Sequence, residues 1–266
     1  MLILGWCPCL PGKRNIRFND GESILRWGCV VRKLAKNKAL VVFSGGQDSS
    51  IALGWALERY DHVETIGFNY NQRHAVELGA RVKIRSMIQD HFPNAAGRLG
   101  PDKIVNAGGL SDVTSSAMTR ESEIETAENG LPTTFLPARN LMFLVLSAAL
   151  AYERDLGVLV AGMCEVDYSG YPDCREETLE AQMHAIRLGT ESDITLEAPL
   201  LKISKADSWH LAKKIAGEGF VNLVNEHSHS CYRGVRSKRH EWGYGCGNCP
   251  ACELRKIGWD AYKTSV

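Results

Sequence analysis

A short polar turn after an apolar run is the part of the sequence best suited to bind an anion. Residues 40–43 are apolar, residues 44–49 read Ser-Gly-Gly-Gln-Asp-Ser, and a helical pattern begins after them. Two adjacent glycines let backbone N–H groups approach a ligand without interference from a Cβ atom. Ser44, Ser49 and Ser50 add hydroxyl donors, and the first turn of the helix adds free N–H groups and a partial positive charge. The turn therefore predicts a phosphate or pyrophosphate site.

This loop lacks the Gly-Lys-Ser/Thr ending of a Walker A motif. Its string instead resembles the pyrophosphate loop of the N-type ATP pyrophosphatases, which attach a nucleotide to carbonyl or carboxyl oxygens. The resemblance implies that ATP binds here and that Asp48 helps to hold a magnesium ion on the phosphates. An ordinary strand-to-helix turn capped by Ser or Asp is the alternative. The residues expected to contact ATP are Phe43, Ser44, Gly45, Gly46, Gln47, Asp48, Ser49 and Ser50.

A second chemical cluster lies near the C-terminus, where four of the nine cysteines are found. They are Cys231, Cys246, Cys249 and Cys252, and two overlapping Cys-x-x-Cys steps bring the last three together. Four thiolates suit one tetrahedral zinc ion. An iron–sulfur cluster and a redox dithiol are the competing possibilities. Because four protein ligands leave no open position, we expect one structural zinc ion per chain.

The elements that position these residues alternate between strand and helix patterns. The sequence predicts strands near residues 40–43, 63–70, 102–105, 157–162 and 194–197. Helices are predicted at residues 77–90, 141–152, 176–188 and 205–218, the last capped by Ser204. Nearly continuous apolar strands that alternate with helices are typical of a parallel sheet covered on both faces. The predicted fold is therefore α/β, with a parallel, doubly wound sheet.

Ligands of such sheets bind at the carboxyl ends of the strands. Four polar motifs fall there, at residues 44–50, 70–77, 137–140 and 163–175. The polar stretch at residues 106–134 is long for a connection inside a compact domain, so we expect it to be a functional segment. We predict an N-terminal extension (1–38), a pyrophosphate-loop ATP-binding α/β domain (39–220) and a zinc-binding C-terminal segment (221–266).

Charge and hydrophobicity limit the partners that we expect. Lys and Arg number 31, as do Asp and Glu, so no overall field attracts nucleic acid or an anionic membrane. No apolar run reaches the length of a membrane span, and the N-terminus lacks the charge order of a secretory signal. We expect a cytoplasmic protein that acts on small molecules, without nucleic-acid or membrane partners.

Taken together, the motifs resemble one family, the 7-cyano-7-deazaguanine synthases, over roughly residues 39–260. The strings that carry the resemblance are Ser44-Gly-Gly-Gln-Asp-Ser, Tyr70-x-Gln-Arg-His, Pro137-Ala-Arg-Asn, Asp167-Tyr-Ser-Gly-Tyr-Pro-Asp-Cys-Arg and the four cysteines. The resemblance implies a carbon–nitrogen ligase of queuosine biosynthesis. Such an enzyme converts 7-carboxy-7-deazaguanine, ammonia and ATP to 7-cyano-7-deazaguanine (preQ0), through an activated acid and an amide. It also implies a homodimer.

The resemblance suggests roles for individual residues. Asp48, Arg139 and Lys205 are expected to be catalytic, and Arg139 or Lys205 would neutralise a carboxylate or a phosphate. Acceptors for the guanine-like N–H edge are expected at Asp167 and Asp173. Tyr168 or Tyr171 would stack on the flat heterocycle. The other residues expected to bind substrate are Arg73, Asn140 and Arg175.

The sequence also departs from the family pattern. It has the N-terminal extension, a gap of 14 residues after Cys231, and Asn71 where glycine is common. One alternative is a related enzyme that stops at the amide or uses another acceptor. A second is a tRNA-modifying enzyme with the same loop, and a third is a zinc-ribbon binding module on an inactive nucleotide domain. Whether ATP yields AMP or ADP stays open.

Overall fold

The computed structural model of the chain describes residues 13–17, 23–27, 30–72, 76–95, 97–120, 122–125, 128, 130–166 and 171–265. Three of the predicted site residues, Arg73, Asp167 and Tyr168, lie outside these ranges. Among the helices of the described ranges, none is both long and apolar enough to pass through a lipid bilayer.

A parallel sheet of five strands forms the centre of the fold. An antiparallel pair, β1 (Lys13–Arg17) and β2 (Ser23–Trp27), precedes it. The sheet strands are β3 (Lys38–Val42), β4 (His62–Asn69), β5 (Leu99–Asn106), β6 (Val158–Ala161) and β7 (Thr195–Glu197). Their spatial order is β5-β4-β3-β6-β7, and every pair is parallel. The central strand, β3, leads directly into the predicted phosphate loop.

Helices cover both faces of this sheet. They are α1 (Gln47–Arg59), α2 (Val76–Ile88), α3 (Gly109–Val113), α4 (Arg139–Glu153), α5 (Glu176–Thr190), α6 (Lys205–His227) and α7 (Pro250–Thr264). A small antiparallel pair, β8 (Arg239–His240) and β9 (Gly243–Tyr244), lies between α6 and α7.

Successive side chains of the strands pack into two hydrophobic cores, one on each face of the sheet. Val41 of β3 packs into a core with residues of α1, α2, α6 and α7. Its neighbour Leu40 packs into a second core with residues of α4 and α5. Successive strand residues point to opposite faces, so a strand with apolar residues on both faces must lie between two layers of helix. The predicted α/β fold with a doubly covered parallel sheet is confirmed.

Two predicted boundaries differ from the structure by three residues or more. The third strand begins at Leu99, three residues before the prediction, and it contains Pro101. Because β5 is an edge strand, a proline is tolerated there. Helix α6 was predicted to end near residue 218 but continues to His227 after a kink at Ala216 and Gly217, where Gly217 has φ +73°. The residues beyond the kink resume the helix because Phe220 and Val224 are fully buried.

The cysteine segment is continuous with the core of the α/β domain. Helix α6 crosses the predicted boundary between residues 220 and 221. Cys249, Cys252 and Trp259 share one core with Val41 of the sheet. The C-terminal segment thus packs directly against the layer of helices that contains α1. The division of the chain into three parts stays a prediction.

Candidate active site and metal centre

The loop between β3 and α1 is shaped by its own serines. The Ser49 hydroxyl accepts hydrogen bonds from the N–H groups of Ser44 (3.2 Å) and Gly45 (3.1 Å), and it donates to the Gly46 carbonyl (3.1 Å). Gly45 has φ +90°, and a Cβ atom there would lie 2.8 Å from the Glu77 carbonyl oxygen. A side chain is therefore excluded at Gly45 both by the backbone angle and by the first turn of α2.

Residues just before the cysteines hold the loop from outside. The N–H of His229 donates to the Gly45 carbonyl oxygen (3.0 Å). The N–H of Gln47 donates to the Ser230 hydroxyl (3.3 Å), and the Gln47 side chain donates to the Ser208 hydroxyl of α6 (3.1 Å). Elements far apart in sequence thus fix the start of α1, whose first-turn N–H groups have no acceptor within the helix.

Asp48 and Lys205 form an ion pair at the mouth of this loop. The Lys205 ammonium donates to both carboxylate oxygens of Asp48, at 2.8 and 3.0 Å. Glycines allow the elements to approach closely: a Cβ on Gly162 would lie 2.7 Å from the Asp48 backbone, and one on Gly258 would lie 2.5 Å from the Lys205 side chain. The sequence predicted separate roles for these two residues, and the structure places them in direct contact.

A cavity of about 290 Å³ opens in front of the loop. The predicted ATP-binding residues that line it are Phe43, Ser44, Gly46, Gln47, Asp48 and Ser49. Arg139, Asn140, Tyr171 and Lys205 line it from other elements. Gly45, Ser50, Asp173 and Arg175 are not part of the lining. The loop therefore shares one cavity with two of the four described residues predicted to bind substrate, and with Arg139 and Lys205.

Arg139 enters the cavity from a strained turn. Ala138, the residue before α4, has φ +62°, a left-handed conformation that costs an alanine about 1–2 kcal/mol. The next turn is held by Asp173, which is buried and accepts a hydrogen bond from the Asn140 N–H (3.0 Å). The Asp173 carboxylate thus supports the start of α4. Its predicted contact with substrate stays a prediction.

Tyrosines surround the Arg139 guanidinium. It lies 5.6 Å from the centre of the Tyr171 ring. The Tyr171 hydroxyl forms hydrogen bonds with Thr134 (2.6 Å) and Tyr232 (3.5 Å). Burial raises the pKa of Tyr70 to about 12, although the charge of Arg139 opposes this shift. The Tyr70 phenol therefore stays neutral at physiological pH, and the Arg139 guanidinium keeps its positive charge for an anionic ligand.

Arg81 is a buried cation in the cavity lining beside the loop, and the sequence analysis did not identify it. Its side chain pairs with Asp102 of β5 (2.5 Å) and lies 4.9 Å from the Phe43 ring centre. A Cβ on Gly67 of β4 would lie 2.3 Å from its Nη1 atom. Burial lowers the pKa of Arg81, with Asp102 acting in the opposite direction. Arg81 therefore fixes Phe43, the residue that begins the loop.

The sequence analysis also missed Tyr70, Glu77, Ser230 and Tyr232, which line the cavity. Helical periodicity could have indicated two of the missed residues, because Glu77 and Arg81 are four residues apart and so lie on one face of α2. Ser230 and Tyr232 flank Cys231, and a search confined to metal ligands passes over them.

The four predicted cysteine ligands converge on one point. Their Sγ atoms all lie within 4.8 Å of one another, and those of Cys246 and Cys252 are 3.9 Å apart. A Cβ atom on Gly245 would lie 2.5 Å from the Cys252 sulfur, so glycine is required there. Hydrogen bonds from Cys249 and Cys252 hold the pKa of Cys231 far below its usual value. The cluster is suited to hold a metal ion, as predicted.

Arg255 connects the metal centre to the loop. It is buried, one turn after Cys252 in α7, and donates to the carbonyl oxygens of Trp242 (2.7 Å) and Asn225 (3.1 Å). It also lies within hydrogen-bonding distance of the Ser230 hydroxyl, at 3.4 Å. The end of α6, the β8–β9 hairpin and the residues that hold the loop are thus fixed by one guanidinium.

Comparison with known proteins identifies relatives over most of the chain. The family model described as queuosine biosynthesis protein QueC matches residues 38–263. A 7-cyano-7-deazaguanine synthase of Parvibaculum lavamentivorans is 56% identical over 227 residues, covering 85% of this chain and 96% of the relative. Proteins of the same name from Bordetella pertussis (54% over 227 residues, 85% and 93% covered) and Paraburkholderia phymatum (53% over 233 residues, 88% and 96% covered) are similar.

We predict that loss of a metal ligand loosens the phosphate loop as well as the cysteine segment. In Cys249→Ser, the segment that carries His229 and Ser230 loses its anchor, and amide hydrogen exchange at residues 44–47 should rise. Cys164→Ser is the matched control, because Cys164 lies in the cavity lining but outside the metal cluster. Hydrogen exchange with mass spectrometry measures both variants. Unchanged exchange at residues 44–47 in Cys249→Ser would contradict the coupling.

Proposed function

The chain belongs to the QueC family of queuosine biosynthesis proteins, and we propose that it is an ATP-dependent ligase that converts 7-carboxy-7-deazaguanine and ammonia to 7-cyano-7-deazaguanine. The names of its relatives, 7-cyano-7-deazaguanine synthases that are 53–56% identical, support this function. The structural observation that carries it is the single cavity, in which a phosphate-binding loop faces a charged arginine among tyrosines.

The chemistry requires both halves of this cavity. A carboxylate is a poor electrophile because its oxygen is a poor leaving group, and a bond from that oxygen to a nucleotide phosphate removes the difficulty. Residues 44–49 would hold the phosphates through N–H and hydroxyl donors at the start of α1. The same cavity would place the acid within reach of the phosphate, which reduces the entropy cost of the reaction.

Arg139 is the residue that we assign to the substrate carboxylate. Its guanidinium can donate two parallel hydrogen bonds to a carboxylate, which a lysine cannot do. Lys205 is assigned to the phosphates, because it lies at the mouth of the loop and already pairs with the Asp48 carboxylate. When phosphates enter, Lys205 can share its donors between Asp48 and a phosphate oxygen.

The Asp48 side chain fits a role in holding a magnesium ion. It lines the cavity, its side chain is 31% exposed, and a carboxylate has further lone pairs besides those that face Lys205. Magnesium prefers oxygen ligands and usually binds through one or two carboxylates and the substrate phosphates. When bound, the ion would neutralise charge on the departing phosphate.

We assign the flat heterocycle to the tyrosine side of the cavity. Tyr171 lies in the lining, where its ring can stack on the base, and Asn140 lines the cavity beside Arg139. Asp173 and Arg175 stay candidates for substrate contacts, although Asp173 already holds the Asn140 N–H. The proposed roles of Arg73, Asp167 and Tyr168 rest on the sequence motifs alone.

We assign the four-cysteine centre to one structural zinc ion. A tetrahedral ion with metal–sulfur bonds of about 2.3 Å separates its sulfur ligands by about 3.8 Å, and the Cys246–Cys252 separation is 3.9 Å. The compactness of the set, within 4.8 Å throughout, favours a single ion over an iron–sulfur cluster, because an extended cluster core holds its cysteines further apart. Four thiolates leave no position for substrate.

Two further proposals rest on the family alone. Members of this family are expected to act in the cytoplasm and as homodimers, and light scattering of the purified protein measures the second property directly.

The direct test of the function is mass spectrometry of the deazaguanine after incubation with ATP, magnesium and ammonium. We expect the carboxylic acid to be replaced by the nitrile, with the amide as a transient species. A parallel reaction with tRNA in place of the carboxy-deazaguanine is the control for a tRNA-modifying enzyme. An unchanged acid with a metal-replete sample, or ATP turnover only with tRNA, would contradict the proposal.

We predict that Arg139→Lys lowers kcat/KM for the carboxy-deazaguanine by about 100-fold or more, a loss similar to that for removal of a transition-state hydrogen-bond donor. Lysine keeps the charge but cannot make the two parallel hydrogen bonds. Arg120→Lys, at an exposed position in the irregular segment before α4, is the matched control. Equal kinetics for both variants would exclude the assigned role of Arg139.

A further inference from the structure

One carboxylate in the cavity has no role in the chemistry described so far. Glu77 is the second residue of α2, and it lines the cavity beside the phosphate loop. Its carbonyl oxygen would lie 2.8 Å from a Cβ on Gly45, which shows how closely the first turn of α2 approaches the loop. The side chain therefore shares one cavity with the phosphate loop and with Arg139.

The surroundings of Glu77 let it exchange a proton near neutral pH. Burial raises its pKa to about 7, while the charge of Arg139 acts in the opposite direction and that of Cys231 adds to the rise. Tyr70, which directly follows β4, is a neutral phenol whose pKa the charge of Glu77 helps to raise. Arg139 acts on Glu77 through its charge. The Glu77 side chain is half-buried at the cavity wall, where a small cation can reach it.

The reaction needs a proton acceptor at this place. Ammonia is present in neutral water almost entirely as ammonium, which has no lone pair and cannot attack carbon. We propose that Glu77 binds the ammonium ion beside the phosphate loop and takes its proton, which makes it the catalytic base of the amination. This inference rests on the proposed function, because that function supplies the activated acid.

In this step, ammonium loses a proton before the new C–N bond forms. An ammonium proton moves to the Glu77 carboxylate, and the ammonia that remains forms a C–N bond to the activated carboxyl carbon. The C–O bond to the nucleotide phosphate then breaks, and the phosphate oxygen leaves with the electron pair. The nitrogen loses a further proton to water to give the amide, and Glu77 returns its proton to water. General-base catalysis of this kind contributes about 10²–10⁴-fold.

Hydroxylamine separates this role from every other role of Glu77. It is neutral at neutral pH, so it attacks an activated acid without a base and gives a hydroxamate. With Glu77→Gln in the full-length protein, we expect ammonium-dependent amide and nitrile formation to fall by about 100-fold or more. ATP-dependent hydroxamate formation should stay at the wild-type rate. Glu180→Gln, at an exposed position of α5, is the matched control and should leave both rates unchanged.

The outcomes distinguish this inference from the proposed function. Equal losses with ammonium and hydroxylamine, or no loss with either, would overturn the role of Glu77. A wild-type protein that forms neither nitrile nor hydroxamate would overturn the proposed function and this inference together. If Glu77→Gln does not yield folded protein, Glu77→Asp takes its place. Its shorter carboxylate should lower the rate of amide formation with ammonium and leave the rate of hydroxamate formation unchanged. A loss of the same size with both nucleophiles, or no loss with either, would overturn the role.

Discussion

A phosphate-binding loop is most effective when its backbone is fixed in shape before the phosphates arrive. In this chain the Ser49 hydroxyl accepts two loop N–H groups, and the Gly45 carbonyl accepts the N–H of His229. Without those contacts, two adjacent glycines would sample many conformations and lose entropy when they bind a ligand. The position of residues 229–230 therefore controls how well the loop is preformed.

This dependence explains why a cysteine cluster belongs to an α/β enzyme. Residues 229–230 come directly before Cys231, and Arg255, which approaches Ser230, lies one turn after Cys252 in α7. Tyr232 reaches the cavity from the same segment and contacts Tyr171. A metal ion held by the cluster would order this segment, and the segment contributes Ser230 and Tyr232 to the cavity wall. The four-cysteine cluster is thus part of the structure that shapes the cavity.

The sequence predicted what is local and missed what depends on tertiary contacts. The loop at residues 44–50 and the cysteine set are contiguous or closely spaced, so residue types and spacing were sufficient. Asn71, a departure from the family pattern, adopts φ +57°, and asparagine is the residue that best replaces glycine there. Glu77, Arg81 and Tyr232 became visible only when the fold brought α2 and the cysteine segment to the loop. The continuation of α6 beyond Gly217 was missed because burial of Phe220 and Val224 outweighs a local helix breaker.

The essential chemical idea is that an oxygen of the carboxylate leaves with the phosphate held by this loop. Carboxy-deazaguanine labelled with ¹⁸O in its carboxylate tests it directly, by mass spectrometry of the nucleotide and phosphate products. One labelled oxygen should appear in AMP or in inorganic phosphate for each amide formed, and the labelled species identifies the phosphate that was attacked. Amide formation with the label found only in water would contradict activation of the acid at the phosphate loop.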